Sequence, residues 1–173
     1  MGINNLNIAF IGLGSNVGNK VKNLKSAIEL INNLPNSKVE KISSGYETLP
    51  FGDIKQNNFV NAVIKLATSL EMPELFDRLK LIEKQLGRIK REKWGPREID
   101  LDILFFNNLI ISDEIITLPH KGIINRDFVM IPLIEIEPEF KHPLLMKKIS
   151  DLVIELKTKN ILNKLSEPLF TEE

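Results

Sequence analysis

Cysteine is absent from the 173 residues, which excludes disulfides, thiolate nucleophiles and zinc–thiolate sites. Net charge is absent too: 23 Lys and Arg stand against 23 Asp and Glu. The chain therefore lacks the broad positive field that binding to nucleic acid or an anionic membrane requires, and any attraction for anions has to be local. No run approaches the ~20 apolar residues of a membrane span. The start, Met1-Gly2-Ile3-Asn4-Asn5, has neither the basic region nor the apolar stretch of a secretory signal. A cytoplasmic chain that binds neither nucleic acid nor membrane is expected. Aromatic residues are scarce, with one Trp and one Tyr, so the position of the single Trp carries weight.

That residue, Trp94, sits in the most unusual stretch of the chain. Between Arg88 and Glu98 five cations (Arg88, Lys90, Arg91, Lys93, Arg97) face two carboxylates, Glu92 and Glu98. From Ile99 the sequence turns apolar and β-branched, as a strand entering a core does. Two carboxylates, Asp100 and Asp102, interrupt it. Strand side chains alternate, so both point to one face, roughly 6.6 Å apart at Cα, while Ile99, Leu101 and Ile103 point to the other. Adjacent carboxylates repel and are costly in a half-buried sheet. Magnesium removes that cost by taking one or two carboxylates and completing its shell with water and phosphate oxygens. The cationic loop supplies the donors that phosphates need. Alone, an Asp-x-Asp is most often a solvated strand face and a charge run a solvated loop. Adjacent, with Trp94 between them, they point to a site for a metal–polyphosphate complex.

Elsewhere the pattern is that of a packed core. Hydrophobic residues make up 43% and charged residues 27%, which suits one domain over 1–173. Asn7 to Leu13 reads as a buried strand. The glycines that follow, Gly12, Gly14 and Gly18, have neither the dinucleotide nor the Walker spacing, so the segment reads as a strand-to-helix turn. Val21, Leu24, Ile28, Ile31 and Leu34 keep helical spacing up to Pro35. Lys38 to Thr48 reads as one strand with a bulge at Gly45. Residues 49–58 form a turn-rich loop that carries Leu49, Phe51 and Ile54; it either packs on its own domain or closes over something flat and apolar. Phe59 to Leu66 reads as a strand. Its one polar residue in an apolar run, Asn61, is either a satisfied core amide or a donor–acceptor pair for a heterocycle. A second helix runs from Pro73 to the Gly87 cap. After the Asp strand, Asn107-Asn108 turns into short strands at Leu109–Ile111 and Ile115–Leu118. Val129–Ile136 is a short helix or strand, Ser150–Leu156 and Asn160–Leu165 are weak helices, and 166–173 is a frayed tail. The order β-α-β-β-α-β predicts an α+β fold, a ferredoxin-like sandwich with a mostly antiparallel sheet flanked by helices.

Seven blocks in order carry a resemblance: Gly14-Ser15-Asn16, Tyr46-x-Thr48-x-Pro50-x-Gly52, Phe59-Val60-Asn61-Ala62, Leu86-Gly87-Arg88, Lys93-Trp94-Gly95-Pro96-Arg97-x-Ile99-Asp100-Leu101-Asp102-Ile103-Leu104, Leu118-Pro119-His120 and Asn125-Arg126-x-Phe128-Val129. From about Ile8 to Pro143 the chain resembles the hydroxymethyl-dihydropterin pyrophosphokinase family of folate biosynthesis. The resemblance implies transfer of pyrophosphate from ATP to the hydroxymethyl oxygen of 6-hydroxymethyl-7,8-dihydropterin, with release of AMP. It implies two Mg2+ ions on Asp100 and Asp102, and Arg88 and Arg97 reaching the phosphates. Lys90, Trp94, Ile103, Thr117, His120 and Arg126 match further ATP contacts. Thr48, Phe59, Asn61, Trp94 and Phe128 match the pterin pocket, with Asn61 on the amide edge and Phe128 stacked on the ring. A monomer is expected. Lys90 and Lys93 stand where many relatives carry arginine, and lysine binds phosphate as a point charge and not as a fork. Leu49 stands in place of a proline and Lys121 in place of an aromatic, and neither is assigned to the site. His142 reads as structural, and no general base stands out. Two rival readings are a ferredoxin-like nucleic-acid module, which would need basic strand faces, and a catalytically dead nucleotide-binding subunit, against which the intact Asp pair argues.

Overall fold

The computed structural model describes residues 5–170. The elements are β1 (Asn7–Ser15), α1 (Lys20–Asn32), β2 (Ser37–Ile42), β3 (Tyr46–Thr48), β4 (Phe59–Thr68), α2 (Met72–Gln85), β5 (Asp100–Phe106), β6 (Ile111–Ser112), β7 (Thr117–Leu118), α3 (Asp127–Ile136), α4 (Ile149–Ile154) and β8 (Ile161–Lys164). Six strands form one sheet in the order β5-β1-β4-β3-β8, and β2 also pairs with β4. Every pairing among the described residues is antiparallel. This is the expected α+β architecture, with helices on both faces. No helix among the described residues is long and apolar enough to cross a membrane.

Local sequence explains the main elements. Asn19 caps α1 by accepting the Lys22 N–H at 3.0 Å, and Leu24, Ala27, Ile28 and Ile31 form its buried stripe, at helical spacing. Pro73 opens α2, and Gly87 takes a positive φ of 87° just past its end, where a side chain would be strained. Alternation on the central strand β1 divides the core. Ala9, Ile11 and Leu13 pack with α1 and α2, as do Leu101 and Ile103 of β5. Phe10 faces the other way, with Val63, Leu104 and Phe105, and packs under Met130 and Leu133 of α3 and Ile149 of α4.

The C-terminal half of α3 is tied to the sheet by charge. Lys65 reaches Glu137 at 2.7 Å, Lys41 donates to the Ile136 carbonyl at 2.9 Å, and the Tyr46 hydroxyl donates to Glu135 at 2.6 Å. Burial and the Glu135 carboxylate both raise the Tyr46 pKa, so the phenol stays protonated and remains the donor. His142 is structural as expected. It is buried, its Nδ1 accepts the Leu144 and Leu145 N–H groups at 3.2 Å, and its ring lies edge-on to Phe105 at 5.4 Å.

Several local expectations are corrected. The expected single strand from Lys38 to Thr48 is two strands, β2 and β3, and the register slips around Glu40, not at Gly45. Ser43 makes the break. Its N–H donates to the Val63 carbonyl, and its hydroxyl accepts the Val63 N–H, each at 2.9 Å. A side chain thus stands in for one rung of the ladder. Gly45 marks a close approach instead: a Cβ there would lie 3.0 Å from Leu165. The strands expected at Leu109–Ile111 and Ile115–Leu118 shrink to β6 and β7, because Asp113 captures the Ile115 and Ile116 N–H groups at 2.8 Å. Val129–Ile136 is helical. Asn160–Leu165, expected as a helix, is strand β8: the free edge of β3 offers a ladder that outweighs weak helical propensity. The expected fraying of 166–173 does not hold as far as Phe170, since Leu169 is 2% exposed and joins the core. Residues 171–173 of that expectation lie outside the described residues.

A buried leucine truncated to alanine costs about 2–5 kcal/mol. Leu169→Ala is therefore expected to lower the free energy of unfolding in urea by about 2–4 kcal/mol, whereas a frayed tail would give no change.

Candidate functional site

Two glycines on β1 make the site possible. In the sheet Gly14 lies between Asn61 of β4 and Asp100 of β5, and Gly12 is paired with Asp102. The central strand thus presents bare backbone where its neighbours present polar side chains, and the result is a trench with a flat floor. A Cβ on Gly14 would come within 2.7 Å of the Asn61 Oδ1, an impossible approach, and one on Gly12 would press on Leu104 at 3.3 Å. The first turn of α3 borders this end of the sheet through Phe128 and Val129. The cleft is lined by Gly12, Gly14, Thr48, Asn61, Asp100 and Asp102, and it is rimmed by Phe51, Trp94, Arg97, His120, Arg126 and Phe128.

The two carboxylates share a face, as strand alternation requires, but their surroundings differ. Asp100 is paired: Arg88 donates to its Oδ1 at 2.8 Å, and the Arg97 Nε lies 3.2 Å from its Oδ2. That second contact is an ion pair only. The Arg97 N–H is not directed at the oxygen, and it is a buried donor without a hydrogen-bond partner. Asp102 has no hydrogen-bond or ion-pair partner among the described residues. Burial, reinforced by Asp100, pushes its carboxyl up to about 7. No three carboxylate or imidazole side chains converge among the described residues. A cation bound at this pair would thus draw its remaining ligands from a substrate or water, which is magnesium's habit.

Beneath the pair lies Glu83, which is 4% exposed. It accepts from Arg88 at 2.7 Å, from Lys80 at 3.0 Å and from the Leu101 N–H at 2.7 Å. Arg88 is thereby aimed at Asp100 from below. Glu83 falls at a polar position of the α2 repeat, where nothing local distinguishes it from a solvated glutamate, so the sequence gives no signal for it.

The cationic loop is braced internally. Arg91 forks onto Glu98 at 2.7 and 3.0 Å, and this hydrogen-bonded pair holds the Glu98 carboxyl down to about 2. A depressed carboxyl stabilises above its unfolded value of about 4.5 and loses that contribution as pH falls toward 2, so the brace persists through neutral pH. Trp94 sits at a positive φ of 67° with its ring half exposed.

A relay joins this loop to residues 49–58. The buried Asn16 accepts the Arg97 N–H at 2.9 Å and donates to the Gln56 Oε1 and the Asn57 carbonyl, both at 3.0 Å. Gln56 then donates to the Trp94 carbonyl at 2.9 Å. Asn16 belongs to the Gly14-Ser15-Asn16 block, yet no site role was assigned to it or to Gln56, because a relay between loops leaves no periodicity to read.

Most of the sequence-predicted residues meet in the cleft: Thr48, Phe59, Asn61, Trp94, Arg97, Asp100, Asp102, His120, Arg126 and Phe128. Leu49, left unassigned, lines it too. Asn61 donates to the Thr48 hydroxyl at 2.7 Å. The Arg126 guanidinium lies over Phe51, Trp94 and Phe128 at 5.0, 5.8 and 5.9 Å, and Arg97 over Phe59 at 5.1 Å. Such stacking holds a cation ready without an anion. Burial, then the Arg126 charge, lowers the His120 pKa, so its ring is neutral at pH 7. Four residues lie outside the lining of the cleft. Ile103 and Thr117 line a neighbouring depression with Asp102, His120 and the unassigned Lys121. Arg88 and Lys90 line the space under the cationic loop, from which Arg88 still reaches Asp100.

Fold and cleft define an α+β enzyme class whose acidic pair and cationic flap suit a cation-bearing polyphosphate beside an apolar slot. A sequence profile of 7,8-dihydro-6-hydroxymethylpterin-pyrophosphokinase (HPPK) matches residues 10–138. The chain is 42% identical over 142 residues to the 2-amino-4-hydroxy-6-hydroxymethyldihydropteridine pyrophosphokinase of Aquifex aeolicus, covering 82% of this chain and 88% of that protein. It is also 42% identical over 135 residues to the Haemophilus influenzae enzyme of the same name, covering 78% and 84%. Among solved structures, Plasmodium falciparum HPPK-DHPS with pteroate superposes with a TM-score of 0.70 at 18% identity, over 87% of this chain and 43% of that one. That likeness speaks for the fold alone. The chain belongs to the HPPK family, the pyrophosphokinases of folate biosynthesis, and is a transferase.

Removing the Asn16 amide cuts the relay at its buried end. In Asn16→Ala, hydrogen exchange at the Arg97 amide is expected to speed up at least about fivefold, the equivalent of one hydrogen bond of ~1 kcal/mol. Exchange at the core amides of Ile64 and Leu66 should stay unchanged; unchanged exchange at Arg97 would refute the relay.

Proposed function

We propose that the trench holds ATP and 6-hydroxymethyl-7,8-dihydropterin end to end, with the polyphosphate over Asp100 and Asp102 and the pterin over Gly14. The observation that carries this reading is the bare β1 backbone between the carboxylates and Asn61, which lets both substrates lie on one continuous floor. In the reaction, the hydroxymethyl oxygen bonds to the β-phosphorus of ATP as the bond to the oxygen of the departing AMP breaks, and the hydroxyl proton passes to solvent.

Asp100 and Asp102 would hold Mg2+. The fit rests on a half-buried carboxylate without a partner beside one already paired with arginine, and two ions bound there would neutralise phosphate charge along the transfer. Arg97 brings a buried, unsatisfied N–H to the same place, ready for a phosphate oxygen. Arg88 keeps Asp100 oriented from below. Arg126, held over aromatic rings, can turn to the polyphosphate. Neutral His120 serves as a hydrogen-bonding group and not as a second cation, and with Ile103 and Thr117 it would border the nucleotide. Lys90 would approach the phosphates only by movement of the loop. On the pterin side, Asn61 offers an amide to the amide edge of the ring. Thr48 fixes that amide, and Phe59, Phe128 and Trp94 supply flat apolar surface. Closure of the 49–58 and 88–97 loops would exclude water, and catalysis then rests on positioning and charge neutralisation.

AMP release should depend on both the pterin and Mg2+, and chelation should abolish it. Asp102→Asn is expected to lower kcat by roughly 10³-fold with an unchanged unfolding curve. Nucleotide turnover that ignores the pterin, or full activity in that variant, would sink the reading. Gly14→Ala, by displacing the Asn61 amide, should raise the KM for the pterin at least about tenfold while leaving the KM for ATP in place.

A further inference from the structure

The family match ends at residue 138, yet the chain beyond it returns to the site. The Thr158 hydroxyl donates to the Asn125 carbonyl at 2.8 Å. The N–H groups of Asn160 and Ile161 both donate to the Asp127 Oδ2, at 2.7 and 2.9 Å. The carbonyl of the same Asn160 accepts the Leu49 N–H at 2.8 Å. Strand β8 then pairs along β3, with Ile161 against Thr48 and Asn163 against Glu47.

One residue, Asn160, therefore bridges two walls of the cleft. On one side stand Asp127 and its neighbours Arg126 and Phe128, at the start of α3. On the other stand Thr48 and the loop that carries Phe51. Across the gap the Phe51 and Phe128 rings are 6.1 Å apart. Asp127 is 6% exposed and has no cationic partner among the described residues; it also accepts the Phe128 N–H at 2.9 Å. A carboxylate that only began a helix would find its donors within the first turn. This one takes two of its three from a segment more than thirty residues away. Desolvating a carboxylate costs several kcal/mol unless N–H donors replace water, so the Asp127–β8 junction is sharply defined.

We propose that Asp127 is a positioning residue for the heterocycle. Through β8 it sets the separation between the Phe128 wall and the Thr48–Phe51 wall, and hence the affinity for a flat bicyclic ring. This rests on the pyrophosphokinase reading of the cleft, because only a ligand that spans both walls would sense their separation.

The test compares full-length wild type with Asp127→Ala, Asp127→Asn and the milder Thr158→Val. The readouts are kcat, the KM values for ATP and hydroxymethyl-dihydropterin, and hydrogen exchange at the Leu49, Asn160 and Ile161 amides. Asp127→Ala should speed exchange at those amides and raise the KM for the pterin roughly tenfold, with kcat and the KM for ATP within about threefold. Asp127→Asn retains an acceptor oxygen and should recover most of that loss, and Thr158→Val should raise the KM for the pterin about twofold. If Asp127→Ala does not fold, the other two variants carry the comparison. Faster exchange at Leu49 with an unchanged KM for the pterin overturns the assignment, as does an equal rise in both KM values. Wild-type protein that binds no pterin sinks the pyrophosphokinase reading itself. Wild type that binds it, with Asp127→Ala binding equally well, sinks only the positioning role.

Discussion

Two half-buried carboxylates forced onto one sheet face set the terms for the whole site. The alternation of β5 that sends Leu101 and Ile103 into the core sends Asp100 and Asp102 to the other side. Their repulsion has to be met by something positive. The fold meets half of it with its own cations: Arg88 and Arg97 both lie against Asp100, and Glu83 fixes Arg88 from beneath. It leaves the other half open at Asp102, whose raised pKa marks the uncompensated charge. A fold selected only for stability would have paired or neutralised this group. The asymmetry fits the proposed receptor role: one carboxylate is oriented by the protein, and the other is left without a protein partner for the cation proposed above.

The same economy governs the flap. Five cations crowded into one loop would repel one another and splay, but Arg91 is spent on Glu98 and Arg88 on Asp100 and Glu83. Arg97 is aimed inward over Phe59. Lys90 and Lys93 remain exposed, and the Lys93 ammonium rests 5.7 Å from the Trp94 ring centre. The relay through Asn16 and Gln56 then ties this loop to the 49–58 loop, so movement in one is felt in the other. Charge sets what the loop can attract, and amide hydrogen bonds join it to its neighbour.

How much of this was legible in the sequence follows from the range of each signal. The Asp pair, the helical stripe of α1, the Pro73 and Gly87 boundaries and the cationic loop are all written in spacings of a few residues, and they stand in the structure where the spacings put them. The trench floor was half legible. The glycines were visible, and their spacing is not that of a phosphate loop, but their meaning as bare backbone appears only when Asn61 and Asp100 flank them across the sheet. Glu83 and the Asn16–Gln56 relay were not legible as site residues, since the contacts that tie them to the site, Glu83 to Leu101, Asn16 to Gln56 and Arg97 to Asn16, span 18 to 81 residues and no local pattern encodes them.

The misreading of β8 shows where local reasoning gives out and why that matters here. Asn-Ile-Leu-Asn-Lys-Leu has apolar residues at spacings that suit a short helix, and an isolated six-residue segment has no stable preference of its own. The edge of β3 and the Asp127 carboxylate decide the outcome, and both lie far away in sequence. A segment whose structure is dictated from outside is also one whose placement reports on what dictates it. Asn160, at the entry to β8, is hydrogen-bonded both to Asp127 at the start of α3 and to Leu49 just past β3. In the proposal above the segment acts as a strut between them, and a strut resists movement in both directions. That role would distinguish the C-terminal segment from a passive cover on the sheet edge, and it would set a braced wall of the cleft opposite the two loops proposed to close.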